Sequence, residues 1–553
     1  MALARLGNNR RSESYTWPGF VDALATLLMV IIFVLMVFVL IQVNLAYRVS
    51  GQDATLGEMR QQLVSLTELL NLERKASSDL AADLAQISRE LEVTTTERDD
   101  ILEQLANAID ALAASGFRFT NAFVQVPLCN PSRASLLSGL RPSSLDVYDG
   151  QTWPRHKIGS DLRMLPEHFR DHGYYTARVG KVGHNSFEHA ISWDFSAFAL
   201  SREPSSLLHF PGYLPGEDAS IVRDNTWGSK AELGLSRSDL MTQVDRPAGL
   251  PISWRATSEQ PRMTPDGTTA GRVIQLLAQH RDKPFFIAAG FHKPHQPWVG
   301  PSKFFDLHRL DDIKLPTQPT GNDSAPVPAT NVIPADDAGL TVEQHKQAIA
   351  AYHAMVSMTD EYVGQLVRAL EDFGLSDSTA VVLTSDHGFQ LGEHGGIWRK
   401  RVQFDESIRV PLIVRLPGQS GGSGRPVHGL VELVDLYPTL VDLSQLPLPA
   451  HNLEGLSFTE LLKTPDRPWK SAAFSESKRE DYLGKSIRTE RYRYTEWQPF
   501  DLDKKILREL YDLLKDPLEQ KNLANDEHEV DRVNELSTRL KLGWQSALPT
   551  SAK

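Results

Sequence analysis

Eleven consecutive residues, Cys129-Asn130-Pro131-Ser132-Arg133-Ala134-Ser135-Leu136-Leu137-Ser138-Gly139, put a thiol, a guanidinium and a helix start within about one turn of each other. Pro131 has a fixed φ and no amide donor, which suits a first helical turn, and Asn130 is a favourable N-cap. Cys129 is therefore expected just before a helix N-terminus, where free amides attract an anion and the Arg133 fork can meet the same oxyanion. It is the only cysteine in the chain, so no intramolecular disulfide forms and the fold rests on core burial. A lone cysteine without such neighbours is ordinarily a small buried hydrophobe. Two further groups of reactive side chains follow apolar runs: Gly180-Lys181-Val182-Gly183-His184 and Ser385-Asp386-His387-Gly388.

The elements that must hold these residues are legible as short apolar runs, Tyr174 to Val179, Pro284 to Ala289, Thr379 to Thr384 and Pro411 to Leu416, separated by helices and Pro/Gly-rich loops. Such runs are expected to be buried strands of a mostly parallel sheet sandwiched by helices, an α/β fold, and ligands in open sheets of this kind bind beyond the strand carboxyl ends. After about Gly418, a helical segment from Val431 to Leu436 and strands at Tyr492 to Trp497 and Glu509 to Leu513 outline a smaller C-terminal α+β subdomain. Pro316 to Pro334 has no apolar period and reads as a surface loop.

At 553 residues and 41% hydrophobic, the chain is long enough for one large domain with appendages. Its formal net charge is −12 and Lys and Arg form no long block, so no electrostatic footprint for nucleic acid is present. The N-terminal hundred residues have a different texture. From Ala23 to Tyr47 there is no charged residue, a run long enough to cross a hydrocarbon core of about 30 Å and without a small-residue cleavage site. Arg5, Arg10 and Arg11 precede it, placing residues 1–22 in the cytoplasm, 23–47 in a single retained transmembrane helix, and the rest on the periplasmic or extracytoplasmic side. Asp22 at the entry of the span reads as an interfacial residue. Beyond it, Leu56, Met59, Leu63, Leu66, Leu70, Leu80, Leu84, Ile87 and Leu91 follow a heptad seam broken at Glu73, Ser77, Thr94 and Arg98; this predicts a coiled coil over 50–106 and a homo-oligomer, with a single long surface helix as the alternative.

The Cys129 segment resembles the signature of the sulfatase family, Cys-x-Pro-Ser-Arg leading into a helix of small residues that ends in Gly. The resemblance continues in order through Phe119-Thr120-Asn121-Ala122-Phe123, Gly173-Tyr174-Tyr175-Thr176-Ala177-Arg178-Val179-Gly180-Lys181, His292-Lys293-Pro294-His295, Ser385-Asp386-His387-Gly388, Gly392-Glu393-His394-Gly395, Glu509-Leu510-Tyr511-Asp512-Leu513 and Asp516-Pro517. The variant motifs are most similar to the iduronate-2-sulfatase branch of this part of the alkaline phosphatase superfamily. The resemblance implies a sulfuric ester hydrolase in which Cys129 is oxidised to formylglycine, whose hydrate attacks sulfur and is freed when the aldehyde re-forms. It further implies that Arg133 and His184 hold and polarise the hydrate, that Lys181 and Lys400 bind sulfate oxygens, and that His292 protonates the departing alcohol. Cys129, Asp386 and His387 would hold one divalent ion, usually Ca2+. The implied substrate is a sulfated small molecule or carbohydrate. The alternatives are a phosphonate or phosphate monoester hydrolase of the same superfamily and an inactive membrane-anchored scaffold.

Two departures stand out. Family members begin with a hydrophobic strand ending in an Asp-Asp pair that supplies two metal ligands, and no such strand precedes the match, which is expected to begin near Asn107. Asp99-Asp100 follows Thr-Thr-Thr-Glu-Arg and reads as a surface helix pair. The catalytic domain is thus expected over 107–418 without its first strand, with the C-terminal subdomain at 419–553. Before it, the membrane helix and polar helix from Trp17 to about Asp100 resemble the start of the flagellar stator subunit MotB and its relatives, so the chain has the character of a fusion joined near Leu105 to Ile109. Asn130 after the cysteine and Ser138 for the usual Thr are smaller departures.

Overall fold

The computed structural model describes residues 20–49, 107–184, 191–197, 254–258, 260–319, 325–326, 329, 340–418, 424–479 and 481–550. It divides into two units, Met1–Glu97 and Arg98–Lys553. In the first, α1 (Phe20–Val49) is one continuous helix. Its described side chains, 27–41, are almost all apolar and largely exposed, Met29 at 71% and Leu40 at 64%. Among the described residues, no helix is long and apolar enough to cross a membrane, so the expected transmembrane helix over 23–47 is not met there. The expected coiled coil over 50–106, with Asp99-Asp100, lies outside the described residues.

The second unit starts with α2 (Ala108–Ser115), whose first turn is capped from a distance. Asp360, on the long helix α6 (Val342–Asp372), accepts the Ala108 and Ile109 amides at 3.0 and 2.8 Å. A carboxylate at a helix N-terminus meets both the free amides and the positive end of the dipole. α6 itself begins in a capping box, Thr341 with Gln344.

The strands fall into separate sheets. The largest has the order β10 (Val431–Glu432), β1 (Phe117–Phe123), β8 (Arg409–Arg415), β7 (Val381–Thr384), with β9 (Arg425–Val427) also on β1. A second is all parallel, β3 (Phe195–Ala197), β2 (Tyr175–Gly180), β5 (Phe285–Gly290). β4 (Trp254–Thr257) pairs with β6 (Trp298–Pro301). The expectation of a mostly parallel sheet is therefore corrected to a mixed one, because β8 runs antiparallel to both β1 and β7. The segment from Ser385 to Ile408 holds only single-turn helices and no crossover helix, and the chain comes back antiparallel alongside β7.

A four-stranded antiparallel sheet, β11 (Ala473–Lys478), β12 (Tyr482–Arg488), β13 (Tyr492–Pro499) and β14 (Leu507–Asp512), forms the C-terminal layer, with α8 (Val530–Leu542) packed through Val533, Leu536 and Leu540 onto Ile487, Tyr494 and Leu510. The expected helix from Val431 to Leu436 is instead β10 followed by one 3-10 turn, and the helix proper, α7, spans Leu436–Leu443. Val431 and Glu432 are drawn into the sheet by pairing with Ala122 and Phe123, a long-range bond that local pattern does not encode. Of the Pro316 to Pro334 stretch, the described residues 316–319 and 325–326 carry neither helix nor strand, as expected of a surface loop, whereas Ala329 is helical and buried.

One buried ionic network ties the layers together. Arg141 grips Glu432 with both terminal nitrogens, at 2.8 and 2.7 Å, and Lys470 reaches Glu432 at 2.9 Å and Asp435 at 2.6 and 2.7 Å. Burial pushes the Glu432 carboxyl up, but Arg141 and Lys470 outweigh it and hold the group well below the usual range. Removing one partner strands the other charges in the core. Lys470→Met is expected to lower the unfolding free energy by about 3–5 kcal/mol, read from the midpoint of a urea transition at neutral pH.

Candidate active site

Everything in the site is aimed at one sulfur. β1 and the buried residues Val124 to Val126 deliver Cys129 as the first residue of α3 (Cys129–Ser138), not as the residue before it. Leu128 takes the cap position, and Asn130, expected as the cap, lies inside the helix with its amide donating to the Asp149 and Thr152 carbonyls at 2.8 Å each. The helix start survives without the cap because Pro131 and the buried tether to residues 149–152 fix it.

Four loops converge on this helix end. Lys181 directly follows β2 and places Nζ 3.6 Å from Cys129 Sγ. His387, three residues past β7, places Nε2 at 3.2 Å while its Nδ1 meets the Gly388 carbonyl at 2.8 Å, an arrangement that leaves Nε2 to face sulfur. Lys400 brings Nζ to 3.1 Å, its loop pinned by the Arg401 amide donating to Pro127. His295, beyond β5, is tied by its Nδ1 to the Gln296 carbonyl at 2.6 Å, and its ring packs 4.8 Å from that of His292. The ends of β2 and β5 meet closely enough that a Cβ on Gly180, whose φ is +79°, would sit 2.2 Å from the Gly290 carbonyl oxygen. Only glycine allows that approach, and it brings Lys181 and the His292 loop side by side.

Arg133, one turn along α3, bonds Asp386 (Nε to Oδ2, 2.7 Å) and the Lys181 and Val182 carbonyls at 2.6 and 2.9 Å. It braces the helix, the end of β7 and the end of β2. Ser132 adds a hydrogen bond to the Asp386 carbonyl. His184 lies four residues beyond β2, beside Gly150, with Nδ1 buried and without a hydrogen-bond partner.

His292 is held from behind. Asp266, in the first turn of α5 (Pro265–His280), accepts the His292 and Lys293 amides at 2.7 and 2.9 Å and is itself buried. Nothing in the expectations above assigned Asp266 or His295. The only local signal at the first is a Thr-Pro-Asp-Gly helix start, with Thr264 accepting from Gly267, and the second stands inside a motif whose other histidine was assigned. The His292 and His295 rings are 4.8 Å apart, and His292 Nε2 is buried with no partner.

The electrostatics follow from burial of many cations around one thiol. Burial and the neighbouring Asp386 carboxylate push Cys129 up, yet His387, Lys400 and Lys181 together hold it well below the usual thiol range. Asp386 is likewise raised by burial but held far down by Arg133, then by His387 and the lysines. Burial, reinforced by His295, Lys181, Lys293 and Arg133, keeps His292 well below the ordinary imidazole value. Burial also takes His295 down to about 4 and lowers His184 and Lys181.

Cys129, Asp386 and His387 present ligand atoms within 4.8 Å of one another. As a calcium site this set does not fit: it offers one carboxylate where a hard cation takes six to eight oxygens, and Oδ2 of that carboxylate is bonded to Arg133. A second group, His394, Glu406 and Glu519, is charge-balanced, since Glu519 bonds the Arg493 guanidinium and accepts the Asp405 amide.

Comparison with known proteins agrees with the geometry. The profile described as Sulfatase matches residues 99–446, beginning at Asp99, and that described as N-sulphoglucosamine sulphohydrolase, C-terminal, matches 392–545. Iduronate 2-sulfatase of Mus musculus is 32% identical over 500 residues, covering 76% of this chain and 86% of the relative. Among solved structures, the phosphonate monoester hydrolase of Agrobacterium radiobacter shares the fold with a TM-score of 0.62 at 23% identity, over 79% of this chain and 90% of that one. A protein solved with its substrate D-glucosamine-2-N,6-O-disulfate gives 0.59 at 20%, over 80% and 93%. With more than half its length matched in register with a site built around Cys129, this chain belongs to the sulfatase family.

Proposed function

We propose that the chain hydrolyses sulfate esters of carbohydrates at Cys129. The observation that carries this reading is the pair of ammonium groups, Lys400 and Lys181, at 3.1 and 3.6 Å from one buried sulfur beside a buried imidazole nitrogen that has no partner. The sulfated sugar that a protein of the same fold takes as substrate, D-glucosamine-2-N,6-O-disulfate, supports the substrate class.

The residues divide the work by charge. An anionic ester is drawn toward Lys181 and Lys400, whose donors stabilise oxygens that gain charge as the sulfur–oxygen bond breaks. Formylglycine at position 129 supplies an aldehyde hydrate as the nucleophile, which an unmodified thiol does not. Arg133 and His387 fix the geometry around it. His292 Nε2 passes its proton to the bridging oxygen, so the departing group leaves as an alcohol. The free site holds His292 neutral, and it takes up that proton as the bound anion offsets the surrounding cations.

The exposed apolar side chains of α1, within an uncharged stretch from Ala23 to Tyr47, support a single-pass tether that leaves Arg98–Lys553 on the extracytoplasmic side. The heptad seam supports association of copies through 50–106.

Three outcomes are expected. Lys400→Met lowers kcat/KM for an aryl sulfate by about 10²–10³-fold, and the unaltered chain prefers aryl sulfate over aryl phosphate or phosphonate ester; the reverse preference favours the phosphoryl-ester reading. No turnover of either by protein whose Cys129 peptide carries formylglycine in mass spectrometry identifies an inactive scaffold.

Because burial depresses His292, its acidic form is scarce above the folded-state pKa, so kcat/KM falls about tenfold per pH unit on the alkaline side. His292→Gln flattens that limb and costs about 10²–10⁴-fold on a sugar sulfate but little on an aryl sulfate whose leaving group needs no proton.

Protease added to intact spheroplasts is expected to degrade the Arg98–Lys553 unit while sparing a cytoplasmic N-terminal tag. Protection of that unit removes the tether as drawn.

A further inference from the structure

β5 and β7 each have one open edge. β5 pairs only with β2, β7 only with β8, and no ladder joins β5 to β7 among the described residues. Yet they belong to one layer. Phe285, Ile287 and Ala289 of β5 and Val381 of β7 pack on the same apolar cluster, under Val273 and Leu276 of α5 and Leu370 of α6. Phe291, just past β5, and Val381 and Leu383 share a second cluster with Leu112 and Ile413. Both strands also run the same way, since β5 is parallel to β2, and Lys181 just beyond β2 and His387 beyond β7 meet at Cys129 Sγ.

The burial pattern marks the space between them. Every residue of β5 and of β7 is half-buried, although they read Phe-Phe-Ile-Ala-Ala-Gly and Val-Val-Leu-Thr, whereas β2 is buried from Thr176 on and β8 from Leu412 on. Apolar strands that are half-exposed, with no ladder between them among the described residues, leave a groove between β5 and β7. Its mouth opens where three cations, Arg133, Lys181 and Lys400, crowd one carboxylate, Asp386.

We propose that this groove receives an extended strand from a second polypeptide: four to six apolar residues, the lengths of β7 and β5, followed at once by two carboxylates. The strand runs parallel to both neighbours, its side chains alternating between the Ile287–Val381 layer and the opposite layer of Phe286 and Val382, so it is apolar on both faces. Its acidic end lands against the cations and beside Asp386 and His387, supplying the oxygens that the ligand set lacks. This last part deepens the sulfatase reading and rests on it; the groove does not.

The chain does not encode such a strand. Its three Asp-Asp pairs are Asp99-Asp100, Asp311-Asp312 and Asp336-Asp337. The first follows Val93-Thr94-Thr95-Thr96-Glu97-Arg98, which would bury two charges; the second lies in a 3-10 turn; the third follows Pro334, which a central ladder excludes.

The test uses the full chain and a synthetic peptide with a lysine tag, five branched aliphatic residues and Asp-Asp, beside an Asn-Asn version and a scrambled one. Labelled peptide is expected to bind by fluorescence anisotropy, slowing amide exchange in 285–290 and 381–384 by about tenfold or more, and raising Ca2+ affinity in calorimetry by about tenfold with Asp-Asp but not Asn-Asn. Four results overturn it: amides of both strands already protected in the free protein; no peptide binding; protection that appears on self-association of the chain alone; or tight Ca2+ binding by the chain alone that Asp99→Asn with Asp100→Asn abolishes, which makes the occupant its own segment. None of these readouts depends on turnover, so the groove stands or falls separately from the sulfatase reading.

Discussion

Arg133 is the interaction on which the rest of the site depends. From one turn inside α3 it bonds the Asp386 carboxylate at the end of β7 and two carbonyls at the end of β2, so the helix that carries Cys129 and two strand ends move as one body. The bond to a carbonyl pair and a carboxylate uses the planar fork in a way a lysine would not reproduce. Its removal would take away the strongest attractive neighbour of the buried Asp386 carboxylate and the bonds to the Lys181 and Val182 carbonyls, so the brace also supports the local fold.

The brace explains the electrostatic character of the pocket. With Arg133 neutralising Asp386, what remains pointing at position 129 is Lys181, Lys400 and a ring of imidazoles that burial keeps uncharged. A cavity of that kind is short of negative charge, and the same cations hold the Cys129 thiol well below the usual thiol range. A tetrahedral oxyanion relieves the shortage, because it offers several acceptors to donors already in place. Affinity for an anion and a depressed thiol are thus two consequences of the same crowding.

Most of the site was legible in the sequence because its members sit within a few residues of strand ends, and contiguous motifs survive as strings: Lys181 after Tyr175–Gly180, Asp386 and His387 after Val381–Thr384, Cys129 at a Pro-marked helix start. Lys400 and His292 came from resemblance alone, since neither has a local pattern that separates it from a solvated charge or a loop histidine. Asp266 was not legible, because its role is two backbone hydrogen bonds across a gap of about twenty-six residues that no periodicity records. Strand direction failed for the same reason. An apolar run says that a strand is buried, not which neighbour it meets or which way that neighbour runs, so β8 was placed in the right element and the wrong orientation. At Val431 and Glu432 a helical pattern lost to a parallel pairing with Ala122 and Phe123.

The two sides of the molecule around Cys129 are built to different standards of completion. Toward the C-terminal layer, Arg141, Glu432, Asp435 and Lys470 satisfy one another within a buried network, and the Glu432 carboxylate also takes the Phe474 amide of β11, so that side is closed by geometry and charge together. Toward β5 and β7 the layers are in place on both faces, but backbone edges stay open and one carboxylate faces several cations. A protein that merely kept the family's outline would be expected to collapse such an edge, since half-exposed Phe, Ile, Val and Leu lose burial energy at roughly 25 cal/mol per Å². Both strands instead pack under the same two helices, against Val273 and Leu276 of α5 and Leu370 of α6, so the layer that holds them is fixed independently of any ladder between them.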